Sequence, residues 1–191
     1  CWRSAAQAQV VVARDGTPLR AFPDRQHIWR HPVRLDEVSP RYIEALVGFE
    51  DRAFWWHPGV NPWALLRAGV LWLQNGRIVS GGSTLTMQVA RLLEPTPRTP
   101  AGKLRQILRA LQIELRCSKR EILEIYLSLA PMGGVLEGVE AASRGYLGKS
   151  AQRLSEAEAA LLAALPQAPS LLRPDRHPES AGAARDKVLD R

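Results

Sequence analysis

Helix-start signals recur along this chain from residue 39 onward, and they limit the folds that it can adopt. Ser39 stands before a proline, a common pairing of N-cap and first helical position. Ser118 with Glu121, and Ser155 with Glu158, have the spacing of a capping box. Apolar residues recur at helical spacing after each of these signals. The sequence therefore predicts a mainly α fold.

The segment before residue 39 has a different pattern. Val10–Ala13 is β-prone, and Asp15-Gly16 is a favourable hairpin turn. A second strand is expected at Leu19–Phe22 or around Ile28-Trp29. We therefore predict a short N-terminal β-hairpin within residues 1–38.

A length of 191 residues suits one compact domain, and the helical pattern covers residues 39–191 of it. Of the 191 residues, 46% are apolar and 24% are charged, and no apolar run approaches the roughly 20 residues that span a bilayer. Cys1 and Cys117 make no disulfide framework, and no Cys/His cluster has zinc-ligand spacing. The net charge of +7 indicates an anionic partner, whether nucleic acid, phosphates or an acidic membrane surface.

The stretch from Gly48 to Gly59 carries the first candidate for chemistry. Glu50 and Asp51 stand at the end of a predicted helix, where the helix dipole disfavours a further negative charge. Three aromatic residues follow at 54–56, and they would desolvate the acids. A carboxyl group in such surroundings suits general acid/base chemistry. The alternative is an ordinary surface Glu-Asp pair at a helix end.

Two further features suggest an anion site. Arg67 is a lone charge in the apolar stretch Trp63–Leu73, so it would need a carboxylate or an anionic ligand unless it lies at a solvated edge. Glycines precede Ser83, which we expect to cap the next helix and to help bind an anion there. The same pattern is also an ordinary helix start. We expect a mobile loop over Gln74–Gly82.

The predicted helix from Ala101 to Arg116 and the residues that flank it carry most of the net charge. Residues 98–120 contain seven Lys or Arg against one Glu, so +6 of the net +7 is local. One stripe is apolar, and a second is polar and basic, comprising Arg105, Arg109, Gln112 and Arg116. A solvated helix face, a phosphate site and a contact with anionic lipid all fit. Nucleic acid does not, because no nucleic-acid-binding signature accompanies the charge.

The ordered motifs resemble those of a known family. They are Glu50–Phe54 with His57–Gly59, Gly81–Gln88, Ser118–Leu127 and Tyr146–Lys149. In this order they look like the peptidoglycan glycosyltransferases (glycosyltransferase family 51), the polymerase domain of class A penicillin-binding proteins. Residues 86–93 and 165–170 are most similar to the C subtype.

The resemblance implies a lysozyme-like helical lobe with a smaller membrane-facing lobe, and it implies polymerisation of lipid II into glycan strands. Glu50 would be the general base. The substrate-binding positions that it implies are Asp51, Phe54, Arg67, Ser83, Gln88, Arg91, Arg98, Lys103 and Arg105. Gln106 stands where most of the family has a second catalytic Glu. The sequence requires no cofactor and predicts no metal ligands, although Mg²⁺ could assist.

The resemblance also implies surroundings for this domain. The expected partners are lipid II, the growing glycan chain and the membrane surface, with a transpeptidase domain downstream. The expected location is the periplasmic face of a bacterial inner membrane, with a transmembrane helix upstream of Cys1. We expect an apolar surface near the loop Gln74–Gly82 to enter the bilayer. Two alternatives remain: a non-catalytic lipid II-binding scaffold, which Gln106 would favour, and a glycan-cleaving lytic enzyme, which the basic stripe argues against.

Overall fold

The computed structural model describes residues 9–12, 14, 18–24, 27–63, 66, 83–97 and 99–191. These residues are mainly helical, as predicted. The helices are α1 (Pro40–Glu50), α2 (Leu85–Leu93), α3 (Pro100–Glu114), α4 (Lys119–Leu129), α5 (Val139–Leu147), α6 (Glu156–Ala164) and α7 (Pro178–Leu189). The strands are β1 (Gln9–Val12), β2 (Pro18–Phe22), β3 (Trp29–Arg30), β4 (Pro131–Gly133) and β5 (Leu136–Glu137). Within these described ranges, no helix combines the length and apolarity needed to cross a bilayer.

The chain divides into two compact units. Unit 1 covers Glu50–Leu123, and unit 2 combines Trp2–Phe49 with Glu124–Arg191. The unit boundaries fall at the last residue of α1 and inside α4. Every described residue of the candidate site lies in unit 1.

The strands lie in unit 2. β1 and β2 pair antiparallel, with Gln9 opposite Phe22, so the predicted hairpin is confirmed. Its predicted turn at Asp15-Gly16 lies outside the described residues. A second sheet has the order β3-β5-β4, with β3 parallel and β4 antiparallel to β5. Arg30 in β3 donates to Glu137 in β5 at 2.9 Å, which ties the two neighbouring strands together.

Helix α4 fixes the segment that leads into α1. Glu124 accepts a hydrogen bond from the Leu35 N–H at 3.0 Å, and the Ser128 hydroxyl accepts one from the Val33 N–H at 3.1 Å. These two backbone N–H groups are buried or half-buried, and without the two side chains they would be unsatisfied. Ser39 precedes α1 as predicted, but its hydroxyl donates to the Leu154 carbonyl at 3.4 Å.

The core of unit 1 lies between α2 and α3. Val60, Met87, Ala90 and Ala110 form its buried cluster, and two isoleucines of α3 pack against it. The buried face of α3 consists of Gly102, Gln106 and Ala110, one residue for each turn. A Cβ on Gly102 would lie 2.1 Å from the Pro97 carbonyl oxygen, so only glycine fits there. The predicted apolar stripe was Leu104, Ile107, Leu108, Leu111 and Leu115. Ile107 packs against the core, but the four leucines are exposed.

Helix α2 begins one residue later than predicted. Its N-cap is Thr84, whose hydroxyl accepts from the Met87 N–H at 3.1 Å and donates to the Gly59 carbonyl. Ser83 was therefore the wrong cap. Its hydroxyl instead accepts a hydrogen bond from the Lys103 Nζ at 2.6 Å, which leaves the capping position to the next hydroxyl in the chain.

The capping box at Ser155 and Glu158 gives a pH-dependent prediction. Hydrogen bonds from Lys149 and from Ser155 lower the pKa of Glu158 to about 2. Because the folded pKa lies below the ordinary value of 4.5, the stabilisation is present above pH 4.5 and is lost as the pH falls towards 2. We expect Glu158→Gln to lower the free energy of unfolding at pH 7 by about 1 kcal/mol, since solvent screens the ion pair.

Urea unfolding at pH 7 and pH 3 measures this difference, which should be smaller at pH 3. Glu156→Gln, an exposed change in the same helical turn, serves as the control. A deficit of the same size at both pH values would contradict the assignment.

Candidate active site

Glu50 and Gln88 come together in unit 1. Glu50 is the last residue of α1 and is half-buried, and the Gln88 side-chain amide donates to its Oε2 at 2.7 Å. Of the three aromatic rings expected to cover Glu50, two face solvent: Trp55 is 42% exposed and Trp56 is 88% exposed. The expected apolar cover is therefore absent for Trp56 and is at most partial for Trp55.

Asp51 is buried and has a fixed hydrogen-bonding partner on each side. Both of its carboxylate oxygens lie within 3.0 Å of His57 Nε2. The other ring nitrogen, Nδ1, accepts from the Gly59 N–H at 3.1 Å, so the ring proton is on Nε2 and points at the acid. Asp51 Oδ2 also accepts from the N–H of Leu85 at 2.9 Å, the first residue of α2, where the helix dipole favours a negative charge.

Phe54 belongs to a second part of this network. Its ring is fully buried, and the Lys119 ammonium lies 4.6 Å from the ring centroid, a cation–π distance. Lys119 also donates to the His57 carbonyl and to Glu114, each at 2.6 Å. Thr86 donates to the same oxygen of Glu114 at 2.6 Å. These contacts tie the turn after Asp51 to three helices of unit 1.

Lys103 and Gln106 form the second centre of the site. The Lys103 ammonium donates to Ser83 Oγ at 2.6 Å and to Gln106 Oε1 at 3.2 Å. Gln106 is only 5% exposed, and its amide donates to the Met87 carbonyl at 2.7 Å. Burial, and then the nearby charge of Arg91, lower the pKa of Lys103 below its ordinary value. Ser83, Arg91 and Gln106 were among the predicted site residues, whereas Met87 was not.

The other predicted cations are placed differently. Arg105 forms an ion pair with Glu94, and Arg109 pairs with the other oxygen of that acid at 2.8 Å. Arg91 is exposed on α2. Arg67 and Arg98 lie outside the described residues, as does the loop Gln74–Gly82. In the part of the chain that the structure describes, no group of three His, Cys, Asp or Glu side chains could hold a metal ion.

Comparison with known proteins identifies the family. A family model described as Transglycosylase matches residues 15–191. The chain belongs to the transglycosylase family. It is 64% identical over 184 residues to penicillin-binding protein 1C of Escherichia coli K12, which covers 96% of this chain and 24% of that protein. It is 45% identical over 163 residues to penicillin-binding protein 1A of Aquifex aeolicus, which covers 85% of this chain and 22% of that protein.

A solved structure supports the fold of this transglycosylase domain. The crystal structure of penicillin-binding protein 1A from Haemophilus influenzae matches 97% of this chain and 18% of that chain, with a TM-score of 0.51 at 23% identity. The chain thus spans about a quarter or less of the proteins that it resembles. The resemblance to the peptidoglycan glycosyltransferase domains of class A penicillin-binding proteins is confirmed.

Sequence reasoning missed several residues that organise the transglycosylase site. His57 and Lys119 were noted within family motifs but were given no role in the site, and Glu114 was noted only as the single acid of the basic run. For His57 the sequence held a signal: a His six residues after an Asp, in a Gly/Pro turn, can fold back on that acid. Lys119 and Glu114 are distant in sequence from Phe54, so no local pattern connects them.

Proposed function

We propose that this transglycosylase domain polymerises lipid II, with Glu50 as general base and Lys103 at the pyrophosphate leaving group. The observation that carries this proposal is that two consecutive residues of α2 hydrogen-bond the two halves of the site. Gln88 bonds the Glu50 carboxylate, and the Met87 carbonyl anchors Gln106, which bonds the Lys103 ammonium. One helix therefore helps to hold both a half-buried carboxylate and a half-buried cation, the two kinds of group that attack and departure need.

The reaction follows from these two groups. A sugar hydroxyl of the acceptor attacks the anomeric carbon of the donor chain, and its proton passes to the Glu50 carboxylate. The bond from the anomeric carbon to the pyrophosphate oxygen breaks, and its electron pair leaves with the lipid pyrophosphate. That leaving group needs positive charge rather than a proton, because its oxygens are already anionic.

The remaining site residues receive roles by the same reasoning. Lys103, Ser83 and Arg91 would contact pyrophosphate oxygens, and Gln88 would orient Glu50. Asp51 and Phe54, both buried, would act by holding the turn that follows the base. To bind the substrate, Arg105 would have to break its ion pair with Glu94. Arg67 and Arg98 keep the substrate-binding role that the family resemblance implies.

The proposal requires no resident cofactor. Gln106 is neutral, so Glu50 is the one carboxylate among the two predicted catalytic positions. Mg²⁺, where present, would be held mainly by the pyrophosphate, since this ion is commonly bound through one carboxylate and substrate phosphates.

Exposed apolar side chains support a membrane-facing role for unit 1, the smaller lobe of a lysozyme-like fold. Among the described residues, nine of the twelve large exposed apolar side chains belong to unit 1. On α3 and the residue after it, Leu104, Leu108 and Leu115 stand beside basic residues, which suits an anionic lipid surface. We place this surface at the periplasmic face of a bacterial inner membrane. The upstream membrane helix and downstream transpeptidase domain stay predictions.

Glu50→Gln tests the catalytic proposal directly. Glutamine still accepts the hydrogen bond from Gln88 but is no base, so we expect glycan formation from labelled lipid II in detergent to fall at least about 100-fold. Glu44→Gln, an exposed change on the same helix, should retain full activity.

The outcomes separate the alternatives. Polymer formation by Glu50→Gln within tenfold of the parent would contradict Glu50 as the base. Binding of lipid II by the parent without polymer would favour the scaffold. Shortening of preformed glycan would favour a lytic enzyme.

A triple change of Leu104, Leu108 and Leu115 to Ser tests the membrane surface. Each leucine that enters the lipid interface is worth about 1.5–3 kcal/mol when fully buried, so we expect binding to vesicles of anionic phospholipid to fall at least about tenfold. The control changes the three exposed apolar residues of unit 2, Val135, Leu171 and Leu189, to Ser. Equal vesicle binding by the two triple variants in a sedimentation assay would contradict the assignment.

A further inference from the structure

Lys103 differs from Arg105, Arg109 and Lys119 in what it bonds. Arg105 and Arg109 share the Glu94 carboxylate, and Lys119 pairs with Glu114. The Lys103 ammonium instead bonds two neutral oxygens, one from a hydroxyl and one from an amide. Among the described residues, no carboxylate lies within ion-pair distance of it. Its positive charge is therefore held in place without being neutralised.

Gln106 is the residue that holds the Lys103 ammonium without neutralising its charge. It is buried on the face of α3 that packs towards α2, and its amide uses both of its ends. The NH₂ group donates to the Met87 carbonyl, which fixes the rotation of the side chain. The carbonyl end is thereby directed at the Lys103 ammonium, one helical turn away.

A carboxylate could not take this place without changing the electrostatics. An ionised Glu has no proton to donate, so one oxygen would face the Met87 carbonyl oxygen, acceptor to acceptor. The other oxygen would form a charged pair with Lys103 at close range. The ammonium would then bond its own neighbour more strongly and an incoming phosphate less strongly.

We infer that Gln106 is a positioning residue that fixes Lys103 for an anionic phosphate oxygen while leaving its charge uncompensated. The inference rests on the proposed function for the identity of that anion, and it deepens it by assigning Gln106 an electrostatic role rather than that of a second base. An ammonium with three N–H donors and two neutral acceptors has one donor left for the ligand. The lowered pKa of Lys103 agrees with a cation that is partly buried and has a second cation, Arg91, nearby.

Gln106→Glu tests the inference with inorganic pyrophosphate as the probe. We expect its affinity for the folded chain, measured by calorimetry, to fall roughly tenfold, the change expected when one charge-assisted hydrogen bond is lost. Gln112→Glu is the matched control, because it adds the same charge at an exposed position of the same helix. It should change pyrophosphate affinity less than twofold.

Two further readouts separate positioning from a general loss of structure. NMR titration of the Lys103 side chain should give a higher pKa in Gln106→Glu than in the parent, since a new carboxylate favours the ammonium, and no change in Gln112→Glu. In the polymerisation assay, Gln106→Glu should raise KM for lipid II more than it lowers kcat. Pyrophosphate affinity in Gln106→Glu within twofold of the parent, or an unchanged Lys103 pKa, would overturn the inference.

A second pair of variants covers the case in which Gln106→Glu does not fold. Ser83→Asp brings a carboxylate to Lys103 from the other side, and Ser83→Asn brings a neutral group of the same size. Weaker pyrophosphate binding by Ser83→Asp than by Ser83→Asn supports the inference, and equal binding overturns it. If the parent binds pyrophosphate with this ranking but makes no glycan, the proposed function fails and the inference stands. If the parent makes glycan but all variants bind pyrophosphate alike, the inference fails and the proposed function stands.

Discussion

The buried carboxylate of Asp51 is the constraint on which the site depends. A buried charge is strongly unfavourable unless it is fully hydrogen-bonded, and Asp51 meets that need with the His57 ring and the first N–H of α2. These bonds join the residue directly after Glu50 to the start of the helix that carries Gln88. The position of the proposed base is therefore set by its buried neighbour in the sequence.

Helix α2 then transmits this placement to the cation. Its N-terminus is held by Asp51 and capped by Thr84, and its Met87 carbonyl receives the Gln106 amide of α3. The close approach of α3 to the preceding loop depends on the glycine at position 102. Small and polar residues therefore make the inner face of α3, and its leucines are left for the surface. The lipid-linked substrate that we propose would benefit from both results, because the cation is fixed and the apolar face stays accessible.

Much of the fold could be predicted from local signals, but the internal contacts of the site could not. Capping residues and proline positions predicted most helices, and a β-prone run with an Asp-Gly turn predicted the hairpin, because these signals depend on near neighbours in sequence. The start of α2 was misplaced because Ser83 and Thr84 are both able to cap, and only the contact with Lys103 decides between them. The outward leucines of α3 escaped prediction since periodicity shows an apolar stripe without showing what it faces. The pairing of Asp51 with His57 needed the folded turn.

The most direct test of this account is the protonation of the His57 ring in the folded chain. Nitrogen-15 NMR of the imidazole at pH 7 distinguishes its two nitrogens. The account predicts a proton on Nε2 that exchanges slowly with water, an unprotonated Nδ1, and loss of the slow exchange in Asp51→Asn. A proton on Nδ1, or an Nε2 proton that exchanges as fast as that of an exposed histidine, would contradict it, because Asp51 would then lack the donor that fixes the chain beside Glu50.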